Sequence, residues 1–179
     1  LEATSPTIPF DKVMARVHDV IARIAPHDSV ARYEGLGAEI IRGYARLIDP
    51  WTVEITLNDG GTRRLTGRAI VLATGAAPVV PPLPGLDSVG CLTSDTMWQA
   101  LKDRPHAPRR LVVLGGGPVG TELSQAFARL GSAVTQVEMA SRLLIREDED
   151  VSAVVRRSLE RDGVTVLSGH TATACGVTD

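Results

Sequence analysis

The sequence has little net charge of either sign and no long apolar run. Its 19 Lys and Arg residues nearly balance 21 Asp and Glu residues, which leaves a formal net charge of −2. This balance gives no electrostatic footprint for nucleic acid or for an anionic membrane. No apolar stretch approaches bilayer-spanning length, and the first residues lack the basic-then-apolar pattern of a signal peptide. We therefore expect a soluble, cytoplasmic protein that binds neither nucleic acid nor membranes.

Cysteine and histidine are also sparse. Only Cys91 and Cys175 are present, far apart in the sequence, and none of the 4 histidines forms a His-x-x-x-His pair. These spacings exclude Cys-x-x-Cys chemistry and the usual paired zinc ligands. We expect no metal site, we assign no catalytic residue, and we interpret both cysteines as small apolar residues. Hydrophobic residues nevertheless make up 44% of the chain, which supports a folded core.

The most informative segment that is present begins with the apolar run 111–114. Because this run has no polar alternation, it predicts a parallel strand that is covered on both faces. Gly115, Gly117 and Gly120 follow it with Gly-x-Gly-x-x-Gly spacing. The first glycine allows a tight turn, the second removes a Cβ that would block a pyrophosphate, and the third lets the next helix lie close to the strand.

A helix is predicted directly after this turn. Pro118 suits its first turn, and Gly131 ends it. Apolar residues recur between them at helical spacing, namely Val119, Leu123, Ala126, Phe127 and Leu130. The free N–H groups and the dipole at the helix N-terminus can hold a diphosphate without a lysine. Glu122 is either an acid that the dipole favours in the first turn or a residue that faces the cofactor.

A second strand is predicted from Ala133 to Val137, and Glu138 closes it. A carboxylate here accepts hydrogen bonds from ribose 2′- and 3′-hydroxyls and repels a 2′-phosphate, so NAD(H) is favoured over NADP(H). Arg142 could soften that preference by approaching a phosphate. Glycines alone can merely make a tight turn, but here strand, helix and acid agree. The predicted cofactor-binding residues of this unit are Gly115, Gly117, Pro118, Val119, Gly120, Glu122, Glu138 and Arg142.

Upstream of this unit, the pattern predicts helices followed by a small antiparallel β-meander. Residues 10–24 form an amphipathic helix because apolar side chains recur on one stripe, namely Val13, Val17, Val20, Ile21 and Ile24. Apolar and polar residues alternate over 51–57, which is typical of a strand with one buried and one solvent-exposed face. Ile40-Ile41 and Tyr44-Ala45 suggest a strand before this segment, and a turn at 58–61 with a returning strand over 63–65 completes the meander.

The meander leads into the apolar run 69–76, which predicts a buried strand that ends at Thr-Gly. The prolines of 78–85 favour extended backbone, so this segment is predicted to be a stiff connector between two units. Beyond Glu138, the apolar stripe of Val151, Val154, Val155 and Leu159 predicts a second amphipathic helix that ends near Gly163. A strand is predicted over 164–167.

Two motifs in this order give the chain a family resemblance. With Ala73-Thr74-Gly75 before the proline connector and the run Gly115 to Glu122 after it, the sequence resembles the FAD-dependent pyridine nucleotide-disulfide oxidoreductases. It is most similar to their mercuric-reductase-like and dihydrolipoamide-dehydrogenase-like members. The resemblance covers nearly the whole chain. It implies an α/β fold in which residues 1–90 are part of an FAD domain and residues 91–179 begin an NAD(H) domain with a Rossmann-like βαβ unit.

The resemblance also implies the chemistry. In such enzymes hydride passes from NAD(P)H to FAD, and the flavin then reduces a disulfide or a related acceptor. Glu122 would sit towards the nicotinamide and the flavin. The residues that the resemblance places near the FAD are Ala73, Thr74 and Gly75, with Gly43, Tyr44 and Ala45 near its adenine.

Several parts of the family pattern are not in this sequence. The glycine motif for the FAD phosphates and the redox cysteine pair would precede Leu1, and the last flavin motif and the interface domain would follow Asp179. We therefore expect an internal fragment of a homodimeric enzyme, inactive on its own, that supplies the NAD(H) site and part of the FAD site. The alternative is a non-catalytic nucleotide-binding module or degenerate subunit.

Overall fold

A computed structural model describes residues 8–177 and divides the chain into two compact units. One unit is Val20–Ala77, and the other combines the described parts of Leu1–Asp19 and Pro78–Asp179. Residues 1–7, on which the signal-peptide expectation rests, lie outside the described residues. The predicted boundary near Gly90 between an FAD part and an NAD(H) part concerns function and stays a prediction.

Helices and strands occur in the order expected of an α/β protein. The helices are α1 Phe10–Ile24, a 3-10 turn Ala25–Asp28, α2 Val30–Gly35, α3 Leu86–Val89, α4 Met97–Ala100, α5 Pro118–Arg129 and α6 Glu149–Arg161. The strands are β1 Gly43–Asp49, β2 Thr52–Leu57, β3 Thr62–Thr66, β4 Arg110–Leu114, β5 Ala133–Glu138 and β6 Thr165–Ser168. Within the described chain they form an antiparallel sheet β1-β2-β3 and a parallel sheet β4-β5-β6. The predicted α/β class, meander and βαβ unit are confirmed.

The antiparallel sheet carries a row of charges across its three strands. Glu54 on β2 pairs in register with Arg46 on β1 and with Arg64 on β3. Its carboxylate accepts hydrogen bonds from Arg46 at 2.7 Å and from Arg64 at 2.8 Å. These two guanidinium groups, Arg46 first, hold the pKa of Glu54 below its usual range. Opposite charges that lie directly across neighbouring strands favour this register over a slipped one.

The prediction of a buried strand over 69–76 is wrong. The structure gives this segment no strand, and the side chains of Val71 and Leu72 are 86% and 69% exposed. A strand exists only where a neighbour supplies hydrogen bonds and a sheet surface to pack on, and among the described residues no strand pairs with this segment. An apolar run alone therefore does not make a buried strand.

The parallel sheet is covered by helices on one face. Phe127 of α5 and Leu159 of α6 pack with Val134 of β5 and Val166 of β6 in the main hydrophobic cluster. The other face is open, because alternate side chains of β4 point away from the helices, and Val112 and Leu114 are 64% and 42% exposed. The prediction that β4 is covered on both faces is therefore wrong for the described chain. Its uninterrupted apolar sequence is suited to two covered faces, but only one face is packed here.

Helix α1 has the predicted bounds but contacts the core through different residues. Phe10 and Met14 are each 3% exposed, whereas Ile21 and Ile24 of the predicted stripe are exposed. The contact is concentrated at the start of the helix, where the rings of Phe10 and Phe127 lie 6.3 Å apart.

Candidate functional site

The candidate site lies at the carboxyl ends of β4 and β5. The two strands run parallel, with Leu114 opposite Val137. The N–H of Gly115 continues this pairing by donating to the carbonyl of Val137 at 2.8 Å. Strand pairing therefore brings the glycine turn after β4 to the same edge as Glu138 at the end of β5. In open α/β sheets, ligands bind outside this edge.

The three spaced glycines meet different local requirements. Gly115 has a φ of 115°, which L side chains rarely adopt. A Cβ on Gly120 would collide with the carbonyl oxygen of Gly115, so this glycine lets α5 lie against the turn. Gly117 differs, because a Cβ there would meet no described atom within 4 Å and its φ of −75° suits any residue. The fold thus explains the first and third glycines, while space for a ligand remains the reason proposed for the second.

The N-terminus of α5 points towards the turn. Gly117 is the N-cap residue and provides no side-chain cap, Pro118 opens the helix, and the Thr121 N–H makes the first helical bond, to the Gly117 carbonyl at 3.0 Å. The amides of Val119 and Gly120 in this first turn have no acceptor within the helix. These donors and the positive end of the helix dipole suit a diphosphate.

The Glu138 carboxylate is fixed by two backbone donors. Its Oε2 accepts from the Gly116 N–H at 2.5 Å, and its Oε1 accepts from the Ala140 N–H at 2.6 Å. A carboxylate has about four acceptor positions, so roughly two remain for a ligand such as a ribose diol. The side chain is held in place, beside the turn, with acceptor capacity left over.

The structure places the other two charged candidates differently. Arg142 lies in the loop after β5, where its guanidinium donates to the carbonyls of Leu144, Ile145 and Glu147 at 2.8–3.2 Å. Its predicted approach to a cofactor phosphate stays a prediction. Glu122 is exposed on α5, and within residues 8–177 its side chain makes no hydrogen bond or ion pair. Its carboxylate is therefore available to a ligand.

Gln136 belongs to the site, and the sequence analysis missed it. This β5 side chain is fully buried, and its Nε2 donates to the Gly115 carbonyl at 3.0 Å and to the Thr121 Oγ1 at 3.2 Å. It ties the glycine turn to β5 and to the first helical turn. The signal was a lone amide at an inward position of a strand that is otherwise apolar there, because most buried amides have hydrogen-bond partners. Here Nε2 has two partners, whereas the buried Oε1 has none among the described residues.

The residues predicted to lie near FAD fall in the Val20–Ala77 unit. Ala73, Thr74 and Gly75 are exposed, as are Gly43, Tyr44 and Ala45. Gly43 also has a packing reason to be glycine, because a Cβ would collide with the Thr56 carbonyl oxygen on β2. These surfaces are open to a ligand, and a role in FAD binding stays a proposal.

Other site chemistries find no support in the described chain. Cys91 and Cys175 are free thiols. Among residues 8–177, no three His, Cys, Asp or Glu side chains are grouped so as to hold a metal ion. No helix in that range has both the length and the apolar character needed to cross a bilayer.

Comparison with known proteins agrees with this geometry. A family model described as pyridine nucleotide-disulphide oxidoreductase matches residues 7–178. A mercuric reductase from Streptomyces lividans is 36% identical over 176 residues, which are 97% of this chain and 35% of that protein. The structure of a mutant HOCl-induced flavoprotein disulfide reductase from Escherichia coli, a Cu(II) complex, matches with a TM-score of 0.76 and 26% identity, over 97% of this chain and 38% of that one.

A second solved structure has a nicotinamide dinucleotide bound. It is a water-forming NADH oxidase from Lactobacillus brevis bound to NADH, with a TM-score of 0.57 and 29% identity, over 73% of this chain and 30% of that one. The chain thus spans about a third of the length of the proteins that it matches.

Proposed function

Because this chain belongs to the pyridine nucleotide-disulphide oxidoreductase family, we propose that it supplies the NAD(H) site and part of the FAD site of a flavoprotein oxidoreductase. The whole enzyme would pass hydride from NAD(P)H through the flavin to a disulfide or a related acceptor. The observation that carries this proposal is the edge where β4 and β5 end. This edge brings together the open space at Gly117, the amides at the start of α5 that have no acceptor within the helix, and the fixed carboxylate of Glu138.

The pyrophosphate of the dinucleotide fits the turn and the start of α5. The open space at Gly117 admits the phosphates close to the backbone. The amides of Val119 and Gly120 donate to their oxygens, and the helix dipole stabilises their negative charge. The buried amide of Gln136 keeps the Gly115 carbonyl in place, so the turn is formed before the ligand arrives.

Glu138 fits the adenosine ribose of NAD(H). Its remaining acceptor positions suit the 2′- and 3′-hydroxyls, whereas a 2′-phosphate would bring like charge to a carboxylate that Gly116 and Ala140 hold in place. The neighbour from Lactobacillus brevis, a water-forming NADH oxidase bound to NADH, supports this choice of cofactor.

The bound cofactors supply the redox chemistry, in which the reduced nicotinamide provides the hydride and the flavin accepts it. The protein binds and orients them. Glu122 on α5 and the segments Gly43–Ala45 and Ala73–Gly75 are exposed. In this proposal the Glu122 carboxylate faces the nicotinamide, and the two segments form part of the FAD surface.

Calorimetric titration with NADH and NADPH tests this proposal. The chain should bind NADH saturably and NADPH more weakly. Glu138→Arg should reverse the preference, because a guanidinium attracts the 2′-phosphate and lacks acceptors for the diol. Glu34→Arg, at an exposed acid of α2, makes the same change of charge in the other unit and should leave both affinities unchanged.

The outcomes bear on different parts of the proposal. Absence of saturable NADH binding by the unsubstituted chain would overturn the dinucleotide site itself. Binding with an unchanged preference in Glu138→Arg would leave the site in place but remove Glu138 from the ribose contact.

A further inference from the structure

The loop between β5 and α6, residues 139–148, is bonded to the glycine turn through Gly116. The Gly116 N–H donates to the carboxylate of Glu138, the last residue of β5, and the Gly116 carbonyl accepts from the N–H of Leu144 in the loop at 2.8 Å. Both backbone groups of the middle residue in Gly-x-Gly are therefore held by β5 and its loop. A shift of the 139–148 loop would therefore also move the glycine turn.

Leu144 holds its place in the loop in a strained conformation. Its φ is 49°, and it is the one non-glycine residue between 8 and 177 with a positive φ. A side chain of this size rarely adopts that region, and such strain persists only where surrounding contacts fix it. Here the N–H of Leu144 binds Gly116, and its carbonyl accepts from the Glu147 N–H at 2.8 Å and from Arg142 Nη1 at 3.1 Å.

Arg142 is the side chain that closes this loop on itself. Besides Leu144, its guanidinium donates to the Glu147 carbonyl at 2.8 Å and to the Ile145 carbonyl at 3.2 Å. The planar group with several donors can reach three carbonyls at once, which a lysine ammonium on a flexible stem does not reproduce. The next residue, Leu143, is 1% exposed, and its carbonyl accepts from the Ser152 hydroxyl at 2.7 Å. The backbone next to Arg142 is thus anchored to the core at Leu143.

We infer that Arg142 is a positioning residue for cofactor selection, which acts through the loop and not by contact with the cofactor. Its guanidinium keeps Leu144 on Gly116 and thereby keeps the turn against the Glu138 carboxylate. Because its donors are directed at loop carbonyls, its charge is not presented to a 2′-phosphate. The ligand that this arrangement selects is an adenosine ribose with a free 2′-hydroxyl. The inference rests on the proposed NAD(H) site.

The experiment measures dissociation constants for NADH and NADPH on the chain and on two Arg142 variants. In Arg142→Ala, loss of the loop bonds should weaken NADH binding about tenfold, the scale of one or two charge-assisted hydrogen bonds. NADPH should weaken less, because a displaced Glu138 also repels the 2′-phosphate less. The ratio of NADH to NADPH affinity should therefore fall.

Arg142→Lys keeps the positive charge but not the three-carbonyl geometry, so its affinity ratio should also fall. Arg146→Ala is the matched control, because Arg146 lies in the same loop, is exposed and makes no side-chain hydrogen bond or ion pair with residues 8–177. It should behave as the unsubstituted chain. If Arg142→Ala does not fold, as its thermal unfolding curve will show, Arg142→Lys decides.

Three results would overturn the inference. An unchanged ratio in the Arg142 variants means that the loop bonds do not affect selection. A rise in the ratio means that Arg142 contacts the 2′-phosphate directly. A ratio in Arg142→Lys equal to that of the unsubstituted chain means that charge alone suffices. Failure of the unsubstituted chain to bind NADH is a different result and removes the proposed function itself.

Discussion

Substitution of Gly117 by alanine separates a glycine kept for a ligand from a glycine kept for the fold. The added Cβ meets no described atom within 4 Å, and the φ of −75° and ψ of 178° suit alanine. Reduced freedom of the unfolded chain stabilises such a variant by about 0.4–1 kcal/mol. A poorer N-cap offsets this by a similar amount, on the order of 0.5–1 kcal/mol. We therefore expect little change in the free energy of unfolding.

Binding should respond much more strongly. The Cβ of Gly117→Ala occupies the space proposed for the pyrophosphate, and overpacking of this kind costs about 1–3 kcal/mol. That cost corresponds to a roughly 5- to 150-fold increase in the dissociation constant for NADH. The assay is a calorimetric NADH titration beside urea unfolding followed by circular dichroism.

Gly120→Ala is the matched variant with the opposite expectation. Its Cβ would collide with the backbone oxygen of Gly115, which cannot swing aside as a side chain can. Because the clash is with backbone, we take an overpacking cost of about 2–3 kcal/mol, and a gain of about 1 kcal/mol from better helix propensity leaves a net loss of about 1–2 kcal/mol in stability. Unchanged NADH affinity in Gly117→Ala, or unchanged stability in Gly120→Ala, would refute the reasoning.

Further predictions concern the core and the antiparallel sheet. Phe127→Ala should lower the free energy of unfolding by about 3–5 kcal/mol, measured with urea, because it leaves a cavity between α5 and the parallel sheet. The pKa of Glu54 is lower in the folded than in the unfolded protein, so its ion pairs stabilise the fold fully at pH values above the unfolded-state pKa of Glu54. This stabilisation is lost as the pH falls through the folded-state pKa of Glu54. Arg46→Ala should raise that pKa in an NMR titration, Arg64→Ala should do so to a smaller degree, and an unmoved pKa would contradict the pairing. Gly43→Ala should speed amide exchange in β1, because its Cβ collides with the backbone of β2, and unchanged exchange would refute that packing.

Elements with strong local patterns were predictable from the sequence. The alternation over β2, the helical stripes of α5 and α6 and the glycines that end α5 and α6 each depend on neighbours along the chain. The segment 69–76 and the open face of β4 were predicted wrongly for one reason. Burial of Val71 or Val112 depends on what lies against it in space, and apolar composition does not specify that partner.

The candidate site was predictable in outline but not in its internal bonds. Glycine spacing and the acid at the end of β5 located the turn and Glu138. This worked because β4 and β5 pair in parallel, which brings their carboxyl ends to the same edge of the sheet. Spacing could not show that the Arg142 guanidinium turns back onto its own loop, because a long side chain has many rotamers. The positive φ of Leu144 could not be predicted either, because leucine rarely adopts that backbone region and no neighbouring residue in the sequence indicates it.

The most direct test of the central claim is an NMR titration of the labelled chain with NADH. The amides of Val119 and Gly120 at the start of α5, with those of Gly116 and Ala140 beside the Glu138 carboxylate, should shift together and saturate at one NADH concentration. Residues of the antiparallel sheet should not move. Saturating shifts confined to other parts of the chain, or no shifts at any NADH concentration, would contradict a dinucleotide site at this edge.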